Sequence, residues 1–241
     1  MKKVKNGDYV FWCETELEVW RAETLFTKEE GTIAWLKSEL KPGDVFWDVG
    51  ANIGLYSIVA AKLGAMVYAF EPHVGNAAAL LRNVQANDVK NVRLISSPLS
   101  DKKSWNAFCY SSLIPGSSGS QLGHSRSESG EWFNPVAEEA KRTITLDELP
   151  DTFNWPSVIK IDVDGNELEI LTGGYNVLRR LRTIQVEIRQ QSAAAIHELL
   201  TAAGFHFASR HDTANGKKQL AAGVSPEAIT HNAIFRRAAE A

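Results

Sequence analysis

An apolar pentapeptide, Val45-Phe-Trp-Asp-Val49, runs directly into a glycine-bracketed turn, Gly50-Ala-Asn-Ile-Gly54, and from there into a segment with Leu55, Ile58 and Val59 at helical spacing, closed by Gly64. A short apolar run of this kind fits a strand buried on both faces, and a glycine just past a helical pattern fits a C-cap. The unit then repeats. Met66 to Phe70 reads as a strand, Asn76 to Gln85 as a helix with Leu80, Leu81 and Val84 on one side, and Val92 to Ser96 as a further strand. Strands joined through helices lie parallel and carry helices on both faces, so the predicted fold is α/β with a doubly wound, mostly parallel sheet.

The second half continues the alternation. Order is expected to resume with Arg142–Leu146, followed by strands at Val158–Val163 and Thr183–Ile188 and helices from Asn166 to about Leu178 and from Ser192 to Ala203. Two short strand-like runs, Phe205–Arg210 and Asn232–Arg236, are separated by a polar segment and are expected to pair antiparallel at the sheet edge. Between Ser111 and Glu139 serine and glycine accumulate and periodicity is lost, which predicts a long surface loop and a candidate substrate lid. We therefore expect one domain: an N-terminal extension or cap (1–40), a cofactor-binding half (41–110), the lid (111–139) and the second half of the sheet (140–241).

Composition limits what such a fold is for. With 44% apolar residues in 241, the chain can bury a core, and 26 basic against 29 acidic residues leave a net charge of −3. Neither nucleic acid nor an anionic membrane surface is favoured by that balance, so the expected partner is a small molecule or a glycan. The longest apolar stretch, Ile58 to Phe70, is interrupted by Lys62 and too short to span a bilayer. No signal-like segment follows the N-terminal lysines, and the two cysteines, Cys13 and Cys109, make neither a disulfide framework nor a metal site. A cytoplasmic protein is expected, with no membrane insertion.

In an open parallel sheet ligands bind beyond the carboxyl ends of the strands, and the first strand-to-helix turn brings backbone closest to them. Gly50 and Gly54 remove side chains from that approach, and Asn52 tolerates a left-handed backbone. Glu71, ending the strand Met66–Phe70 in Phe70-Glu-Pro72, follows Gly50 at the interval where an acid commonly receives ribose hydroxyls. A nucleoside is thereby indicated. The Gly-x-Gly-x-x-Gly cradle of a dinucleotide site is absent, and no tyrosine is followed by lysine at the fourth position, which disfavours an NAD(P)-dependent reductase. Asp48, two residues ahead of Gly50, suits a cofactor carrying an ammonium and a sulfonium, namely S-adenosylmethionine.

These blocks, with Lys41-Pro-Gly-Asp, Asn83-Val-Gln-Ala-Asn87, Ser100-Asp101, Thr145-Leu-Asp-Glu-Leu149 and Ile159-Lys-Ile-Asp-Val-Asp-Gly-Asn-Glu167, resemble the FkbM-type methyltransferases over roughly Thr24 to Phe205. Asp164 stands where Glu is commoner, Pro98 where a small residue is usual, and Lys103 near a frequent glycine. The resemblance implies a seven-stranded class I methyltransferase sheet and methyl transfer to an oxygen, generally of a sugar, glycolipid or secondary metabolite. It implies cofactor contacts from Asp48, Gly50, Ala51, Asn52, Gly54, Glu71, Pro72, Asp162 and, on the adenine side, Ser97, Leu99, Ser100 and Asp101.

Transfer to a hydroxyl needs a base within hydrogen-bond reach. Asp162, Asp164 and Glu187, at the ends of two adjacent predicted strands, are the expected catalytic acids, with Asp162 foremost. Glu167 is the further acid there and favours a first helical turn. No metal is expected, because no His or Cys ligand pattern accompanies these carboxylates. The competing reading is a cofactor-binding scaffold without an acceptor site.

Overall fold

A computed structural model describes residues 1–126 and 131–237. The chain opens with a hairpin, β1 (Lys2–Asn6) and β2 (Tyr9–Cys13), and two helices, α1 (Glu16–Glu23) and α2 (Glu30–Glu39). The expected alternation follows as β3 (Val45–Val49), α3 (Leu55–Lys62), β4 (Met66–Phe70), α4 (Val74–Ala86) and β5 (Val92–Ile95). Three strands come next, β6 (Trp105–Tyr110), β7 (Gln121–Leu122) and β8 (Ala137–Arg142). The alternation resumes with β9 (Val158–Ile161), α5 (Glu167–Thr172), α6 (Tyr175–Leu178), β10 (Thr183–Ile188), α7 (Gln190–Ala202), β11 (Phe205–Asp212), α8 (Ala214–Ala221) and β12 (His231–Arg237).

Seven strands form the central sheet in the order β11-β12-β10-β9-β3-β4-β5. The five from β10 to β5 run parallel, and β12 is antiparallel to both its neighbours. The antiparallel pairing expected near this edge is present, with β12 one place inside β11. Because side chains alternate along a strand, each face gathers its own core. Trp47, Tyr68, Phe70, Ile159, Ile161, Ile184 and Val186 pack beneath α5, α6 and α7, whereas Phe46, Val67 and Val158 meet α2, α3 and the N-terminal elements through Trp35, Leu36, Ile58 and Val59. Burying side chains of this size contributes about 1.5–3 kcal/mol each.

Several sequence expectations need correction. The segment 111–139 is not loop throughout: β7 and the start of β8 flank β6 in a separate antiparallel sheet, and Ser111–Ser120 is tied down as described below. Residues 127–130 of the predicted lid lie outside the described residues. Order resumes before Arg142, with β8, whose Ala-Glu-Glu-Ala-Lys-Arg has too little apolar alternation to read as a strand. The helix expected from Asn166 to Leu178 breaks into α5 and α6 at Gly173-Gly174, because a side chain at 173 would place its Cβ 2.4 Å from the Ser100 carbonyl oxygen. Asp147, in the Thr145–Leu149 block, accepts the Asn176 and Val177 N–H groups that this break exposes. The polar stretch between the last two strands contains α8.

The 1–40 extension docks through α4. Asn83 and Asn87 extend the pairing of β2 with side-chain amides: Val10 N–H donates to Asn87 Oδ1 (3.0 Å), Asn87 Nδ2 donates to Val10 O (2.6 Å), and Trp12 N–H donates to Asn83 Oδ1 (2.9 Å). Beside them Arg82 pairs with Glu14 and with the fully buried Glu18, which also accepts the Glu14 and Thr15 N–H groups and closes the capping box of α1. Removing the guanidinium strands a buried carboxylate. Arg82→Met should therefore cost about 3–5 kcal/mol in denaturant unfolding, and adding Glu18→Gln should recover part of it.

Candidate active site

The turn after β3 is built by three backbone demands. Gly50 and Ala51 N–H both donate to the Phe70 carbonyl at 3.0 Å, binding the end of β3 to the end of β4. Gly50 has φ +82°, and a Cβ there would lie 1.8 Å from the carbonyl oxygen of Asp162. Asn52, at φ +50°, donates its N–H to Glu71 Oε2 (2.7 Å) and its side-chain Nδ2 to Ser117 O (3.0 Å).

Three cavities meet at Gly50. The first is a narrow, mainly apolar slot of about 40 Å³ walled by Phe70, Pro72, Pro98, Leu99, Phe108 and Ile170. The second, about 80 Å³, is lined by Asn52, Glu71, Pro72, His73, Asn76 and Ser117. The third is a chamber of about 480 Å³, with Asn52, Tyr56, Lys160, Asp162, Asp164 and Glu187 inside and Trp20, Arg21, Lys28 and Lys218 toward its rim. Its size is that of a small-molecule site.

Glu71 sits in the second cavity, 5% exposed, with its two oxygens accepting the Asn52 and His73 N–H groups. Burial pushes its carboxyl up to about 7 against those hydrogen bonds. His73 is buried: its ring reaches Ser112 O (2.8 Å) and accepts Asn76 N–H (3.2 Å), and burial holds its pKa below the usual value.

In the chamber, Lys160 lies 1% exposed and directs its ammonium to Asp162 Oδ2 at 2.9 Å. Burial works against both charges. For Lys160, Asp162, Asp48 and Glu29 outweigh burial and raise its pKa; for Asp162, the Lys160 ammonium outweighs burial and keeps the carboxyl below the usual range. Glu187 is the opposite case. Its Oε2 accepts Arg189 Nη2 at 2.7 Å, yet burial and the negative charge of Asp162 hold its pKa well above that of an ordinary carboxyl. Asp164, at φ +61°, accepts Gly119 N–H on Oδ2 at 2.6 Å. Glu167 faces inward: its Oε1 accepts the Val163 and Gly165 N–H groups, and Arg189 stands 3.7 Å away, so it stabilises the turn.

Ser111–Ser120 forms a strap across this region. Besides the Asn52, His73 and Asp164 contacts, Asn76 accepts Gly116 N–H (2.7 Å), Arg21 donates to Gly116 O (2.6 Å) and Thr15 to Pro115 O (2.9 Å).

Gly50, Ala51, Asn52, Glu71, Pro72, Asp162, Asp164 and Glu187 are thus brought together at the cavities. Asp48 and Gly54 support them from below: Asp48 is fully buried, accepts Ser57 Oγ at 2.6 Å and has one oxygen without a donor, while Gly54 begins α3 against Leu80. Ser100 and Asp101 line none of the three. Leu99 bridges to Ile144 and Ser100 N–H donates to Ile144 O, after which the chain turns Asp101 into solvent. Sequence reasoning missed Phe108, Asn76, Ser117, Trp20 and Lys218. The first belongs to a strand whose partners are remote in sequence, and the others meet the site only through the tertiary fold. Among the described residues no three of His, Cys, Asp or Glu are arranged to hold a metal ion, and no helix is long and apolar enough to cross a membrane.

This sheet, with its site at the β3 turn, is a class I methyltransferase fold. A precorrin-6y C5,15-methyltransferase from Geobacter metallireducens superposes with a TM-score of 0.52 at 16% identity, covering 94% of this chain and 95% of that one. A magnesium protoporphyrin IX methyltransferase from Synechocystis with bound SAM gives 0.52 at 13% identity over 92% and 82% of the two chains. An FkbM methyltransferase from Methylobacillus flagellatus gives 0.53 at 12% identity, over 92% of this chain and 56% of that one. The FkbM methyltransferase domain profile matches residues 48–207, and the chain belongs to that family. It is 30% identical over 183 residues to the hexuronic acid methyltransferase AglP of Haloferax volcanii, covering 74% of this chain and 69% of that protein. It is accordingly an S-adenosylmethionine-dependent methyltransferase.

The cavities suit that cofactor chemically: an apolar slot for a planar base, a buried carboxylate for a diol, and an acid-lined chamber for a cationic tail. Glu71 accepts hydroxyl donors best when ionised. With its carboxyl near 7, calorimetry should show S-adenosylhomocysteine binding weakening by up to about tenfold per pH unit below 7, and Glu71→Gln should flatten that dependence.

Proposed function

We propose that the protein transfers a methyl group to a sugar hydroxyl in the cytoplasm, with Glu187 as the base. The observation that carries this reading is the contrast among Asp162, Asp164 and Glu187. Asp162 is held ionised by Lys160 and has low proton affinity, and Asp164 spends one oxygen on the strap. Glu187 keeps one oxygen on Arg189, lines the chamber with the rest, and has a raised proton affinity. A base needs proton affinity and an oxygen facing the acceptor, and Glu187 has both where Asp162 is tied to Lys160, which favours Glu187 over the sequence preference for Asp162.

The cofactor, when bound, supplies an electrophilic methyl group. Phe108, Leu99 and Ile170 would hold its adenine, Glu71 its ribose hydroxyls, and Asp162 its charged end. Asn52, fixed by Glu71 and Ser117, keeps the turn rigid, and alignment of this kind can remove about 7–11 kcal/mol from a barrier in well-ordered cases. Glu187 then orients the acceptor hydroxyl and takes its proton.

A sugar acceptor is supported by the name of the Haloferax relative, a hexuronic acid methyltransferase, and by Trp20, which is 44% exposed and lines the chamber where a pyranose ring can stack. The acid-lined floor and the net charge of −3 disfavour a nucleic acid. Two free buried cysteines fit a reducing compartment. Glu187→Gln should lower kcat at least about a hundredfold while calorimetry finds cofactor affinity unchanged. Near-normal turnover would place the base elsewhere.

A further inference from the structure

We infer that the rim of the chamber holds an anion subsite, formed by Lys28 and Lys218 beside Trp20, that selects sugar acceptors bearing a carboxylate. This rests on the reading of the chamber as the acceptor site. Inside the chamber the cations are committed: Lys160 to Asp162 at 2.9 Å, and Arg189, just behind the wall, to Glu187 at 2.7 Å. At the rim, Arg21 donates Nε to the Gly116 carbonyl. Of the other two rim cations, Lys28 pairs with Glu29 Oε1 at 2.9 Å and holds its ammonium 5.7 Å from the Trp20 ring centroid, so it stands beside the ring as half of an ion pair. Lys218, on α8, has no acidic partner among the described residues and lines the same cavity.

Charge balance gives this arrangement its direction. The cofactor carries a sulfonium and an ammonium against one carboxylate, so its seating leaves the chamber one unit more positive. A neutral sugar would leave that excess uncompensated, whereas a carboxylated one answers it at Lys28 and Lys218. With the ring stacked on Trp20, a ring hydroxyl is then directed inward to Glu187 while the carboxylate stays outside with the two ammonium groups. Specificity resides here in α1, the α1–α2 connection and α8, rather than in the described residues of the Ser111–Glu139 segment, of which Ser118 alone lines the chamber.

The test is binding to the intact protein saturated with sinefungin, an unreactive analogue that carries an ammonium where the methyl donor carries its sulfonium, read by ligand-observed NMR with methyl glucuronoside, methyl glucoside and methyl glucoside 6-phosphate. The glucuronoside should bind at least about fivefold more tightly than the glucoside, and Lys28→Met or Lys218→Met should shrink that ratio toward one without changing sinefungin affinity. Equal binding of acid and neutral sugar, or a preference that survives both substitutions, overturns the subsite. Tighter binding of the phosphate than of the glucuronoside overturns the carboxylate assignment. A carboxylate preference without methyl transfer to any of these sugars when S-adenosylmethionine is supplied instead overturns the proposed hydroxyl transfer but leaves the subsite standing. Absence of binding by all three overturns both.

Discussion

The buried ammonium of Lys160 is the charge around which the sheet and the site are arranged. It sits in register with Asp48 on β3 and Gln185 on β10, so a polar row crosses the centre of an otherwise apolar sheet face. An isolated cation there would cost several kcal/mol, and Asp162 and Asp48 together offset it. Tyr56 covers it from α3, with the ammonium 5.2 Å from the ring centroid. The same pairing holds the turn after β9 so that the Asp162 carbonyl closes on Gly50. The core of the sheet and the floor of the chamber are therefore one electrostatic unit.

From that unit follows the division of labour between neighbouring carboxylates. Asp162 and Glu187 share a chamber and a buried setting, yet one has the ammonium at hydrogen-bond distance and the other has Asp162 as an unfavourable neighbour. Their proton affinities are driven apart by position alone, the usual way in which one cleft supplies both a fixed anion and a proton acceptor. Burial shifts Glu71 for a related reason, although there two backbone N–H groups keep the group available to the anion.

How much of this could be read from the sequence depended on how local the cause was. The turn at Gly50, Asn52 and Glu71 is specified by neighbouring residues and by the strand-to-helix junction, so its geometry was legible. The parallel order was legible because crossover helices force it. By contrast, β8 has charged residues at most positions and takes its identity from pairing with β6, which no local pattern discloses. Ser100 and Asp101 stand away from the three cavities because Leu99 bridges to Ile144, a contact formed across the fold. Asn83 and Asn87 stood out as a motif, yet their role is mechanical, supplying side-chain hydrogen bonds to a strand some seventy residues earlier in the chain.

The interior position of β12 carries a consequence for how the chain is made. Synthesis delivers β10 and β11 before the strand that lies between them, so a nascent chain that has not yet released His231–Arg237 presents two unpaired strand edges, one of them the apolar Thr183–Ile188. Open edges of that kind are templates for pairing with other chains, and translation proceeds slowly compared with such encounters. The parallel half of the sheet can assemble early, but the sheet is closed only by its last strand. The interval between the emergence of β10 and that of β12 is therefore the period in which the β10 edge is most open to pairing with another chain.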